Sequence, residues 1–96
     1  MYSKVYTITC DEGQKGALMS HYDDVVGPAI TESAYHVGQQ MVEVGNNEWI
    51  LISNYKSSEA ADAASDMVRA LVGDMGAKFG MNLTVIGQGE VSRQVT

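Results

Sequence analysis

The sequence has little of what usually announces a function. It holds a single cysteine, Cys10, among 96 residues. No disulfide can form within the chain, and this usage suits a reducing compartment. Its two histidines, His21 and His36, stand far from each other and from Cys10 and show no zinc-ligand spacing. No metal site and no cofactor is expected. Six basic residues face twelve acidic ones, for a formal net charge of -6. Such a chain lacks the basic footprint that nucleic acid and anionic membranes require. No window approaches the roughly 18 apolar residues of a membrane span, and "MYSKVYTITC" carries no cleavage-site pattern. The expectation is a cytoplasmic protein with neither nucleic acid nor membrane as partner. The glycines of "GQGEVSRQ" precede no helix pattern, so they are not a nucleotide-binding fingerprint.

What is present is a globular pattern. The hydrophobic fraction is 45%, and the length corresponds to one domain over residues 1–96. Residues 2–10, "YSKVYTITC", are rich in β-branched and aromatic types and predict a strand. Apolar residues at Leu18, Tyr22, Val25, Val26 and Ala29 predict a helix. Gly27-Pro28 interrupts it, so the helix either stops near Val26 or kinks and continues toward Glu32. Residues 34–45 and 48–56 predict two strands joined by a tight turn at Asn46-Asn47, types that tolerate positive φ.

With a two-residue turn, Val44 faces Trp49 and Val42 faces Leu51. One face of the hairpin then carries His36, Gly38, Gln40, Val42, Val44, Trp49, Leu51, Ser53 and Tyr55. The other carries Tyr35, Val37, Gln39, Met41, Ile50, Ile52 and Asn54. A second helix follows, capped by Ser57 or Ser58 and closed by Gly80, with an apolar stripe of Ala60, Ala64, Met67, Val68, Leu71, Met75 and Phe79. The segment "MNLTVIGQGEVSRQV" supplies a last strand, with Gly87 and Gly89 as bend or bulge sites.

The resulting order, β-α-β-β-α-β, is an α+β ferredoxin-like arrangement: a four-stranded antiparallel sheet with both helices on one face. The run Trp49-Ile50-Leu51-Ile52 makes the third strand apolar on both faces. The helices cover only one of them. A second copy, sheet against sheet, is the simplest cover for the other.

The element order, the strand-to-helix junction "WILISNYKSSEAADA" and the closing "GQGEV" together resemble the dimeric α+β-barrel superfamily, in the branch of antibiotic-biosynthesis-monooxygenase-like domains. The resemblance implies a homodimer whose sheets close into a barrel, with ligands held between sheet and helices. It also implies the range of activities found there, from haem degradation and cofactor-independent oxygenation to lactone isomerisation, alongside domains with none. Haem-degrading members would call for an Asn on the first strand and a Trp and His shaping the pocket. Here the polar positions of that strand are Ser3, Lys4, Thr7 and Thr9, and His21 falls in the first helix, so those residues are not carried over.

His36 is the candidate for proton transfer, as the side chain that titrates near neutral pH; a solvated rim histidine is the plainer alternative. Trp49, Tyr6 and Tyr55 are candidate ligand-wall residues and Asn54 an orienting donor, although aromatics fill small cores equally well. His21 lies at the edge of the first helix's stripe, where an exposed helix histidine is the simplest expectation. Two functions stay open. One is binding, with cofactor-independent oxygenation or isomerisation, of a small hydrophobic or aromatic molecule. The other is a non-catalytic dimerisation or ligand-sensing module.

Overall fold

The computed structural model describes all residues from Met1 to Thr96. Its strands are β1 (Tyr2–Thr9), β2 (His36–Gly45), β3 (Glu48–Tyr55) and β4 (Asn82–Glu90). They form one antiparallel sheet in the order β2-β3-β1-β4. Helical residues lie in α1 (Lys15–His21), α2 (Gly27–Glu32), α3 (Ser58–Ala63) and α4 (Ser65–Phe79). The sheet and its helix-covered face match the expected ferredoxin-like architecture.

The break at Gly27-Pro28 resolves as continuation. Between α1 and α2 the chain makes a π-helical turn, Tyr22–Val26, closed by the Gly27 amide donating to the Tyr22 carbonyl. Glycine eases this closure, since a Cβ on Gly27 would sit a tight 3.3 Å from that carbonyl oxygen. The wide turn decides which residues face the sheet. Leu18, Val26 and Ile30 are buried. On an unbroken α-helix, at about 100° per residue, Leu18 and Ile30 would lie about 120° apart. A π turn absorbs one extra residue and brings them within about 20°. The same rotation leaves Val25, expected on the apolar stripe, 43% exposed.

The opposite helical segment follows the sequence pattern closely. Ser57 Oγ accepts from the Ala60 amide at 3.0 Å, capping α3. Ala61, Ala64 and Met75 are buried, with Val68, Leu71 and Phe79 partly so. Gly80 ends α4 in the left-handed conformation, φ 63°, and its bare Cα lies against the Asp11 carboxyl group.

The hairpin register differs from the expected one. Asn46-Asn47 does form the turn, with Asn47 at φ 57°, and Gly45 faces Glu48. Val44 is then left unpaired, so Glu43 faces Trp49, Val42 faces Ile50 and Met41 faces Leu51. Because side chains alternate, one inserted residue swaps the faces of everything beyond it. Gln39 and Met41 therefore turn toward the helices, and Gln40 and Val42 away from them. A second irregularity at Val37 restores His36 to the position opposite Tyr55, on the helix side.

The core lies between sheet and helices and contains Tyr6, Ile8, Leu18, Trp49, Leu51 and Met75. The outer face carries Val42, Ile50 and Thr7 in one row across the sheet and Ile52 and Val5 in the next. Val42 is 48% exposed. The two-sided strand inferred from Trp49 to Ile52 is present, with Trp49 and Leu51 inside and Ile50 and Ile52 outside.

Gly80→Ala forces a Cβ into the left-handed region and against Asp11, so it is expected to lower unfolding stability by more than about 1 kcal/mol. Urea unfolding of the variant against the parent measures this.

Candidate functional site

A slot lies between the sheet and the helices. It is lined by Tyr6, Leu51 and Tyr55 from the sheet and by Tyr22, Leu71 and Met75 from the helices, among others. Gln39 is its one non-hydrophobic lining residue. The free space is small, about 40 Å³, room for roughly two or three waters. Met41, Met75 and Met81 are part of its wall, and flexible thioethers are the side chains best able to give way to a ligand.

Three tyrosines and Gln39 supply the polar groups. The Tyr22 hydroxyl donates to Gln39 Oε1 at 2.6 Å, and Gln39 Nε2 donates to Ser53 Oγ at 3.0 Å. This chain runs from the π turn through β2 to β3, and Ser53 is completely buried. Burial, and the Tyr55 hydroxyl beside it, hold the Tyr6 phenol well above its ordinary range. Burial and the nearby Asp23 raise Tyr22 as well. Both phenols therefore stay protonated near neutral pH and act as hydrogen-bond groups, not as bases.

At the α2 end, Tyr22, Ile30 and Gln39 are shared with an open cleft of about 430 Å³, whose rim includes His36, Val37 and Gly38. His36 is 7% exposed. Its ring packs at 4.5 Å on Tyr55, and Nδ1 lies 2.8 Å from Ser33 Oγ. Its Nε2 is buried with no hydrogen-bond partner. Desolvation pushes its pKa below the ordinary 6.5, so the ring is neutral at pH 7. The solvated-rim alternative for His36 does not describe this packing.

The other candidates are dispersed. Tyr6 and Tyr55 do line the slot. Trp49 is 2% exposed in the core, but it is not part of the slot wall. Asn54 sits on the outer face, hydrogen-bonded to Ser3. It is separated from the slot by the thickness of the sheet. His21 is not an exposed helix residue: it packs against Phe79 with ring centroids 5.3 Å apart, and its Nε2 is 3.4 Å from Asp74. Burial also raises the Cys10 thiol, which keeps it protonated and unreactive. No three His, Cys, Asp or Glu side chains gather as a metal-ligand set, and no helix is long and apolar enough to cross a membrane.

Solved structures place this architecture among known proteins. A protein of unknown function, NE2512 from Nitrosomonas europaea, superposes with a TM-score of 0.77 at 11% identity, covering 99% of this chain and 92% of its own. A dimeric ferredoxin-like protein from an uncultured marine organism gives a TM-score of 0.73 at 12% identity, over 99% and 97% of the two chains. The chain has a ferredoxin-like fold. MhuD, a heme-degrader from Mycobacterium tuberculosis solved with two hemes in its active site, shares this fold with a TM-score of 0.69 and 20% identity over the whole of both chains. No protein-family model and no curated protein sequence matches.

Haem does not fit the residues present. Neither histidine lines the slot, so no imidazole is available there to hold iron. The first strand also lacks an asparagine.

The lowered pKa of His36 has a stability consequence. An imidazole that resists protonation in the fold contributes stability above its unfolded pKa, and that contribution is lost as pH falls through 6.5 and below. The parent is expected to lose stability from about pH 7 to pH 5 more steeply than His36→Gln. Chemical denaturation across that range compares the two slopes.

Proposed function

We propose that the protein is a homodimer that holds a small hydrophobic or aromatic molecule in the slot between sheet and helices, without turning it over. The observation that carries this reading is the slot itself: apolar but for Gln39, walled by methionines that can move, and supplied with buried hydroxyl and amide groups. Small-molecule sites have this character of a greasy wall with few polar groups. The slot wall holds no histidine and no carboxylate, which supports binding over acid–base chemistry. A single cytoplasmic domain fits the free cysteine and the acidic balance.

The homodimer is supported by the outer face. Val5, Val42, Ile50 and Ile52 line up across the sheet opposite the helices, and a solved protein of this fold is described as dimeric. Light scattering is expected to give about twice the 10.3 kDa chain mass. Ile52→Lys is expected to yield a folded monomer and Leu51→Lys an unfolded chain, because only Leu51 faces the helices. A monomeric parent, or a folded Leu51→Lys, would overturn this assignment of faces.

For the ligand, the neutral fluorophore N-phenyl-1-naphthylamine is a suitable probe. Its emission is expected to rise on binding to the parent and to remain low with Leu71→Trp, which fills the slot. Equal enhancement by both proteins would place the probe elsewhere and count against the slot.

One observation favours a second reading. His36, whose buried Nε2 has no hydrogen-bond partner, is a wall residue of the adjoining cleft, next to where a substrate reaching out of the slot would lie. On that reading the protein oxygenates or isomerises its ligand with His36 moving the proton. If turnover of a ligand is found, its loss in His36→Ala with folding retained would establish that role.

A further inference from the structure

Lys4 occupies a position that a lysine rarely holds. It lies on β1, a central strand of the sheet, in the alternating row Tyr2, Lys4, Tyr6 and Ile8. Tyr6 and Ile8 are buried beneath the helices. Its neighbours across the sheet are Ser53 and Gln88, neither of them charged. A lysine on the helix side of a central strand needs a carboxylate or an open route to water. Lys4 takes part in none of the protein's ion pairs. Its ammonium instead lies 6.0 Å from the centre of the Tyr55 ring.

The surroundings of that ammonium form a recess of about 220 Å³, lined by Lys4, Arg69 of α4 and five residues common to the slot: Tyr6, Tyr55, Val68, Val72 and Leu83. The recess therefore adjoins the slot and is lined by two cationic residues. Arg69 bonds Asp66 at 3.0 Å through one nitrogen, on an exposed surface where such a pair is weak, and the guanidinium keeps further donors free. At the far end the slot reaches Gln39 and Tyr22. The chain as a whole carries a charge of -6 and does not attract anions at long range. An unpaired cation beside buried aromatic rings is then a local feature, suited to an anion whose body is already held by the apolar wall.

We infer that the recess at Lys4 and Arg69 takes the carboxylate of an apolar acid whose hydrocarbon or aromatic body lies in the slot. The inference rests on the slot being a ligand site. It adds the charge and the orientation of the ligand: acid group outward at Lys4, ring or chain inward toward Gln39. A charge-assisted hydrogen bond is stronger than a neutral one. An acid should thus bind more tightly than the neutral alcohol of the same shape.

The test is calorimetric titration of the full chain with 2-naphthoate and with 2-naphthalenemethanol. The expected result is about tenfold tighter binding of the acid, a preference that shrinks in high salt. Lys4→Met is expected to bring the ratio to about one while leaving the alcohol's affinity unchanged. Arg69→Gln, on an exposed helix face and safe for folding, is expected to reduce the ratio in part. Equal affinities for acid and alcohol in the parent would overturn the carboxylate site and leave the slot standing. A ratio that survives Lys4→Met and Arg69→Gln would do the same. Binding of neither probe would overturn both the carboxylate site and the slot.

Discussion

A strand with apolar groups on both faces must be covered twice, and that constraint organises the molecule. Trp49, Leu51 and Tyr55 of β3 point into the core, where they are nearly inaccessible. At about 25 cal/mol per Å² of apolar surface removed from water, these large side chains are a main source of the driving force in so small a domain. Ile50 and Ile52 point the other way and are only partly covered. The helices cannot reach them, because both crossovers place helices on the same side of the sheet. The core, the placing of the slot and the bare outer face all follow from which half of β3 the helices take.

Local departures from regular structure then assemble the polar groups of the site. The π turn rotates the first helical segment so that Tyr22 and Ile30 look onto the sheet. The unpaired Val44 turns Gln39 inward to meet Tyr22 and Ser53, and the irregularity at Val37 keeps His36 facing Tyr55. Each device costs regular hydrogen bonding. π turns and bulges recur at functional sites because they re-aim side chains that a regular element would place elsewhere. The polar chain from Tyr22 through Gln39 to Ser53 could not form in a hairpin of regular register.

Much of the fold was legible because it depends on patterns that act locally. Alternation in β1 and β3, the Ser57 cap, the Gly80 stop and the Asn46-Asn47 turn each read directly from neighbouring residues. The site was legible only in part. Tyr6 and Tyr55 line the slot because inward positions on two strands carry them. Asn54 lies on the outer face, a direction that follows from the same alternation, and Trp49 is core without being slot wall. Gln39 was assigned to the wrong company, since the bulge at Val44 leaves no mark beyond a neighbouring glycine, Gly45, whose meaning is ambiguous. Lys4 looked like an ordinary polar position on a strand. That it joins no ion pair is decided only in three dimensions.

The sequence by itself determined the order of elements, the turn and cap positions and the two-sided character of β3, because these rest on backbone preferences and on periods of two and 3.6 residues. The tertiary structure alone decided the hairpin register, the rotation of the first helical segment and the placing of Lys4 and Arg69 around one recess beside the apolar slot. Those outcomes depend on packing between elements distant in the chain. There a shift of one residue exchanges inside for outside, and no local preference is strong enough to choose.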